Sequence, residues 1–300
     1  MDGILNIHKE AGYTSHDVVA RLRSICGQKK IGHTGTLDPD ATGVLPICLG
    51  KATKACEYLT DHDKTYKATV LLGITTDTQD MSGKIIRKRQ VDVSDDELRK
   101  IIHRFVGEIE QIPPMYSAVK IQGKKLYEFA RKGIEVERKP RKVTITHIHS
   151  ISPITSANEF QMTVQCSKGT YIRTLCHDIG EMLGCGAAMK SLIRTRVGIF
   201  TLENAKTLEE TEKYKNEGIL ETALISVEDI YGALKSGKVV KEADKLLVNG
   251  NPLRENHVVC ENEIDDCELI KMYSSANEFV AVYRYQQELG EYRANKIFSS

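Results

Sequence analysis

Two carboxylates stand two residues apart in the stretch GHTGTLDPDATGVLPICLGKATK, Gly32 to Lys54, which also holds four glycines and two prolines. Glycines 32, 35 and 43 let backbone approach a ligand or take positive φ, and Pro39 fixes the chain directly after Asp38. An acid held by so constrained a segment can be aimed, whereas a carboxylate on an ordinary surface loop wanders. The plain alternative is that Asp38 only caps its own turn, and spacing alone leaves the two readings level. Other chemistries fail on spacing or context. DPDAT, Asp38 to Thr42, matches the D-x-D-x-T start of aspartate-nucleophile phosphatases, but the preceding GQKKIGHTGT is no buried strand. Aspartyl-phosphate chemistry would also need a Mg²⁺ site that the sequence does not display. GVLPICLGKAT separates Gly43 from Gly50 by six residues and puts Ala52 after the lysine, the wrong spacing for a phosphate-binding loop. CHD, Cys176 to Asp178, places neighbours in different directions around a helix, which suits packing better than a cysteine nucleophile.

The elements around this stretch can be read from period and punctuation. GILNIHK predicts a short strand, and TSHDVVARLRSICG a helix capped by Thr14 or Ser15, with Val18, Val19, Leu22 and Cys26 on one face and Gly27 ending it. The Gly-rich stretch is expected as a loop between that helix and a second one over KATKACEYLTDH. KTYKATVLLG alternates, so Tyr66, Ala68, Val70 and Leu72 share a buried face. ITTDTQDMSGK reads as a polar loop, and Ser94 to Glu97 as a capping box before a helix with Ile101, Ile102 and Phe105 inward. KVTITHIHSI and FQMTVQCS alternate as paired strands, TYIRTLCHDIGEMLG is helical, and GAAMKSLIRTRVGIF strand-like. Beyond about residue 235, short apolar runs between turns predict a compact β-rich module, with a boundary between Ile225 and Lys238.

Composition bounds the function. The 300 residues, 41% hydrophobic, suffice for a sizeable core, and no run of eighteen apolar residues or basic leader appears, so a cytoplasmic protein is expected. Eight cysteines include no C-x-x-C pair, which favours reduced, buried thiols over a zinc site. Net charge is only +1, but from Tyr116 to Lys142 nine Lys/Arg face three Glu, a candidate phosphate-binding surface. From Glu203 to Asp229 eight acids face three bases, which suits a solvated face.

Five segments then carry a resemblance: GILNIHKEAGYTSHDVV, HTGTLDPDATGVLPICLGKATK, DKTYKA (63–68), PPMYSAVKIQGKKLYEFARKG (113–133) and CSKGTYIRTLCHDIGEMLG (166–184). Together, over roughly residues 3–200, they resemble the TruB-type tRNA pseudouridine synthases. From Lys238 onward the chain resembles that family's small C-terminal RNA-binding module only loosely. The resemblance implies an α/β (α+β) fold: a pseudouridine-synthase domain over residues 1–232, with a mixed, largely antiparallel sheet, flanking helices and an RNA-binding insertion at about 116–142. A small β-rich, PUA-like domain over 233–300 would follow.

It further implies isomerisation of the uridine at position 55 in the tRNA T-arm loop, with no cofactor and no metal. That reaction breaks the N1 glycosidic bond, turns the uracil and rejoins it through C5, so it needs a carboxylate near C1′, a pocket for the free base and exclusion of water. On the matched positions Asp38 is the catalytic aspartate and Arg173 the arginine that pairs with it; Tyr66 is the tyrosine that stacks on the base and a candidate for moving a sugar proton. Read without the family, Tyr66 is core packing and Arg173 a surface charge. His33 matches the histidine that fills the stack left by the extruded nucleotide; Gly35, Tyr171 and Leu192 match substrate-binding positions, with Leu192 an apolar wall. Lys120, Lys124, Lys125, Arg131 and Lys132 are candidate phosphate contacts in an insertion that closes over the T-arm. Asp40 is expected to face outward, since otherwise it would raise the pKa of Asp38. The expected partner is tRNA, with no membrane, no obligatory protein partner and a monomeric state. The rival reading is a non-catalytic tRNA-binding or folding protein on the same scaffold, which would not require Asp38, Tyr66 and Arg173 together.

Overall fold

The computed structural model describes residues 1–121 and 123–299. In chain order the first strands are β1 (Gly3–Lys9), β2 (Ile31–His33), β3 (Thr42–Leu49), β4 (Lys64–Leu72), β5 (Ile74–Thr76), β6 (Ile85–Lys88) and β7 (Gly107–Gln111). They are followed by β8 (Lys120–Ile121), β9 (Lys124–Lys125), β10 (Arg141–His149), β11 (Glu159–Cys166), β12 (Ala187–Val197), β13 (Phe200–Thr201) and β14 (Leu224–Ile225). The helices used below are α1 (Ser15–Cys26), α2 (Cys56–Asp61), α3 (Asp95–His103), α4 (Leu126–Ala130), α5 (Ile172–Met182) and α6 (Leu208–Asn216). One large sheet runs β14-β1-β3-β12-β4-β11-β10-β7, with β2 on β3 and β13 on β12. Its pairs are antiparallel except β3 against β12, which meet in parallel at Thr42↔Ile193 and Gly43↔Arg194. The mixed, largely antiparallel sheet with flanking helices is the expected one.

Alternation places β4 correctly: Tyr66, Ala68, Val70 and Leu72 are all buried, between β11 and β12. Thr14 caps α1 by accepting from the Asp17 N–H, and Gly27 closes it at φ 63°. The Gly-rich stretch differs from expectation, because only its middle is loop. Its ends are β2 and β3, and β3 is buried on both faces from Gly43 to Leu49. A strand covered on both sides reads as a continuous apolar run with no period to find, and Pro46 argues against a strand. The proline fits because β2 ends opposite it: Thr34 N–H donates to the Pro46 carbonyl at 3.2 Å, and the Thr34 carbonyl, which no proline N–H can reach, takes the Thr60 hydroxyl at 3.2 Å. The expected second helix is a 3₁₀ turn, Gly50–Ala55, before α2. The polar loop after β4 also begins and ends in a small hairpin, β5 with β6.

On one face of the sheet, α3 and α5 bury Leu98, Ile102, Leu175 and Ile179 against β4, β11 and β12. On another flank, α1 and α6 cover β1 and β3 through Val18, Leu22 and Leu208. The C-terminal β-rich region adds a six-stranded sheet, β16-β20-β19-β18-β15-β17, from β15 (Ser236–Val239), β16 (Leu253–Arg254), β17 (Val258–Cys260), β18 (Leu269–Tyr273), β19 (Phe279–Gln286) and β20 (Glu291–Ile297). Val282 and Phe298 of that region share a core with Ile4, Val44, Leu59 and Tyr231, so the two sheets are welded by apolar burial. All eight cysteines are free. Among the described residues no helix is long and apolar enough to cross a membrane.

Candidate active site

The segment between β2 and β3 is held from beneath. Lys9, fully buried at the end of β1, donates through Nζ to the carbonyls of Ala41 (2.7 Å), Pro39 (2.9 Å) and Glu10 (2.9 Å). Gly12 N–H adds a bond to the Pro39 carbonyl at 3.0 Å, and Leu37 N–H donates to Ser15 Oγ at the start of α1 at 2.9 Å. Ala41 N–H closes the turn on the Asp38 carbonyl at 3.1 Å. With its backbone tied at Leu37, Pro39 and Ala41, Asp38 has little freedom to wander. Burial lowers the Lys9 ammonium to about 8, against the opposing pull of Asp38 and Asp40. Gly43, at φ 106°, lets β3 meet β12 directly behind this turn: a Cβ there would lie 2.2 Å from the Arg194 carbonyl oxygen.

Arg173 comes from the first turn of α5 and grips Asp38 with an Nη2–Oδ1 hydrogen bond at 3.2 Å and an Nε–Oδ2 ion-pair contact at 3.0 Å. The rest of the fork is spoken for: Nη2 also donates to the Tyr116 carbonyl at 2.8 Å, and Nη1 to the Thr78 carbonyl at 3.3 Å, with Asp80 Oδ2 at 3.4 Å. The arginine side chain is 6% exposed while Asp38 is 37% exposed, so the cation is the buried scaffold and the carboxylate its presented face. Asp38 titrates above the ordinary carboxylate range; burial is the main cause, Arg173 pulls it back, and Asp80 pushes it up. Asp40 is exposed, as expected, and acts on Asp38 less than Asp80 does. Nothing in the sequence marks Asp80 for this place. It sits in the loop after β5, which is strapped to β12 by Met81 N–H to the Met189 carbonyl (3.1 Å) and Met189 N–H to the Gln79 carbonyl (3.0 Å).

Two cavities meet at this ion pair. A cleft of about 1190 Å³ is lined by Asp38, Asp80, His33, Tyr116, Lys125, Tyr127 and Arg131 among others. A smaller one of about 280 Å³ is lined by Gly35, Lys64, Tyr66, Tyr171 and Arg194. Asp38, Arg173 and Leu192 belong to both walls. Burial raises the Tyr66 phenol, so at neutral pH it is protonated, and lowers the His33 imidazole, whose Nδ1 accepts from Gly35 N–H at 3.3 Å. Tyr171, the N-cap of α5, is locked by reciprocal bonds with the Gln111 side chain at 2.9 and 3.2 Å. Cys176 is buried inside α5 and its thiol is pushed up, which leaves it no nucleophilic role.

Above the cleft lies the segment between β7 and β10, built from the β8–β9 hairpin and α4 and anchored by the fully buried Leu126. Lys125 and Arg131 line the cleft and flank the Tyr127 ring, at 5.5 and 5.3 Å from its centroid. Lys120, Lys124 and Lys132 are exposed and do not line it. The basic stretch is also less uniform than its composition: Arg138 turns back to the Pro113 carbonyl at 3.2 Å, and Lys142 belongs to β10, where it pairs with Glu108 at 2.8 Å.

The geometry thus provides an aimed carboxylate paired with a guanidinium, a chamber with aromatic and apolar walls beside it, and a cation-fringed opening. Residues 23–172 match the TruB family pseudouridylate synthase N-terminal domain, and residues 173–231 the tRNA pseudouridylate synthase B C-terminal domain. A protein called tRNA pseudouridine synthase B from Lachnoclostridium phytofermentans is 48% identical over 99% of this chain and 100% of its own length. One of the same name from Alkaliphilus oremlandii is 49% identical over 86% of this chain and 85% of its own. Among solved structures, a chain of a Cbf5-Nop10-Gar1 complex superposes with a TM-score of 0.77 at 29% identity, covering 99% of this chain and 84% of that one. A chain of an H/ACA RNP bound to a substrate RNA containing 2′-deoxyuridine superposes at 0.76 and 26% identity, covering 99% and 85%.

Proposed function

The chain belongs to the TruB family of pseudouridylate synthases, and from that premise we propose that it converts the uridine at position 55 of the tRNA T-arm loop to pseudouridine. The observation that carries the reading is the hydrogen-bonded ion pair of Arg173 with Asp38 at the wall shared by both cavities. A guanidinium in that position favours the ionised form of a desolvated aspartate and fixes the direction of its oxygens. The larger cleft has room for flipped-out backbone and sugar, and the smaller one for the base.

In this reading the N1–C1′ bond breaks with its electron pair leaving on the uracil, the base turns between Tyr66 and Leu192, and C5 bonds to C1′. The proton on C5 is lost and N1 gains one, so the change is an isomerisation with no net oxidation and no external reactant. Asp38 serves either course open to the sugar, attack on C1′ or passage through a glycal. His33, beside the turn that carries Asp38, takes the place the extruded base leaves in the loop stack. Lys125 and Arg131 hold phosphate at the opening, and the domain division falls near residue 232, with the C-terminal β-rich region as a further RNA contact and the chain acting as a monomer.

The test uses unmodified tRNA transcript, purified protein and EDTA, with pseudouridine mapped by chemical labelling and primer extension. Product at the single T-loop uridine, lost in Asp38→Asn while tRNA binding persists, is the expected result. Tight binding with no product from the wild-type protein would leave only the binding or folding role.

A further inference from the structure

Arg194 is the largest fully buried side chain in the protein, 1% exposed, and among the described residues it forms no ion pair. Its Nε donates to the Val44 carbonyl at 2.7 Å, but Nη2 is buried with no hydrogen-bond partner. A buried guanidinium that lacks a carboxylate and leaves a donor unused is costly, and such a group persists where something else makes use of it. Its neighbours deepen the puzzle, because Lys9, Lys64 and His33 all feel its charge as a further repulsion.

The register supplies the user. Arg194 on β12 is the direct cross-strand partner of Tyr66 on β4, so the two side chains rise on the same face, and both line the smaller cavity. A guanidinium only donates, so against a phenol it must take the oxygen, which leaves the phenol's own O–H to point elsewhere. We propose that Arg194 is a positioning residue that acts through Tyr66: its spare donor takes the Tyr66 oxygen and so presents the phenol O–H to the base cavity as a donor for the negative charge that develops on the detached uracil.

The inference rests on the reading of this cavity as the base site. The donor role agrees with the direction in which burial moves the phenol, which stays protonated; Arg194 opposes that push, while Cys166 on β11 and Asp38 across the cavity add to it. A cation behind a neutral phenol makes it the stronger donor, and a donor already oriented costs no reorganisation when charge appears. In the free protein the guanidinium already acts on the phenol by charge and from hydrogen-bonding range, although Nη2 makes no fully formed bond, and such contacts commonly tighten with substrate in place.

The test places 3,5-difluorotyrosine at position 66 alone and follows its phenol by ¹⁹F NMR against pH in the wild-type, Arg194→Gln and Arg194→Lys backgrounds, with no tRNA present. Loss of the guanidinium should raise the titration by about one pH unit, a tenfold shift, and lysine should restore part of it. In turnover of tRNA, Arg194→Lys should lower kcat about tenfold with KM changed less than about twofold. If Arg194→Gln does not fold, the lysine variant carries both readings. A titration unmoved in a folded variant overturns the coupling to Tyr66. A moved titration with kcat unchanged overturns the catalytic use of it. Failure of the wild-type protein to turn over tRNA would instead remove the functional reading while the titration still decides the coupling.

Discussion

Between the floor of the cleft and the basic segment above it, burial and charge are arranged in opposite ways. On the floor, Arg173 and Asp80 have side chains 6% and 15% exposed, and Arg173 meets partners 57 to 135 positions away in the chain. In the segment above, Lys120, Lys124 and Lys132 are exposed, and the aromatic contact that Lys125 and Arg131 make is to Tyr127 within the same short stretch. The floor is therefore costly and exact, a desolvated ion pair stable only because the whole sheet and α5 hold it. The upper segment is tolerant, suited to a charged ligand whose position need only be right to within a water or two.

The contrast breaks first at Arg173. Arg173→Met strands two carboxylates against a partly desolvated wall, and we expect kcat to fall at least about 10³-fold, ~4 kcal/mol of barrier, with stability at pH 7.5 lower by about 3 kcal/mol. The pH dependence has a definite sign. Asp38 already titrates above the ordinary range, and without the cation it goes higher. A carboxylate whose folded pKa is raised gives most stability below its unfolded value and loses it as pH rises towards the folded one. The stability gap between variant and wild type should therefore widen as pH rises above the ordinary carboxylate range in urea titrations. A gap that stays flat would mean the floor behaves like a surface pair.

Lys9 sharpens the same point one layer down, with a smaller effect. Lys9→Met leaves the Pro39 and Ala41 carbonyls without their lysine donor and the Asp38 turn partly untethered. We expect a stability loss of about 1–3 kcal/mol and kcat lower by roughly tenfold, ~1.4 kcal/mol. Folded Lys9 titrates at about 8, below its ordinary 10.5, so the unfolded chain binds more protons in between and the contribution of this lysine to stability rises with pH across that window. Lys64, also lowered to about 8 by burial, contributes in the same direction. The slope of the unfolding midpoint against pH from about 8 to 10 should be less positive in Lys9→Met than in wild type, and Lys64→Met should move it further in the same direction.

What the sequence reveals divides along the same line. Periodic elements are legible: α1 with its caps, β4 with Tyr66 inward, and the β10–β11 pair, because each writes its burial into spacing. The double-sided burial of β3 has no period, and Pro46 disguises it further. Asp38, Tyr66 and Arg173 are identified by resemblance, and the fold brings them to one wall. Lys9, Asp80 and Arg194 escape a reading of the sequence, since each depends on where a distant strand or loop returns. A lysine ending an apolar strand, an aspartate in a polar loop and an arginine in an alternating strand carry no local mark of what they will face.

The smallest effects belong to the upper segment, and they decide whether it differs in kind. Lys125→Ala and Arg131→Ala remove cations that line the cleft, whereas Lys120→Ala, Lys124→Ala and Lys132→Ala remove cations that do not. Each of the first two should weaken tRNA binding about three- to fivefold at physiological salt and reduce the slope of log K against log salt by about 0.7–0.9 for each phosphate that is no longer neutralised. The other three should each change binding less than about twofold if their phosphates lie farther off. None should alter kcat at saturating tRNA or the unfolding midpoint, because no buried partner is left behind. A fall in kcat for Arg131→Ala at saturation would show that this segment does more than bind, and would move it from the tolerant side of the comparison to the exact one. An effect confined to KM and the salt slope would keep the two regions separate, one holding the RNA and the other acting on it.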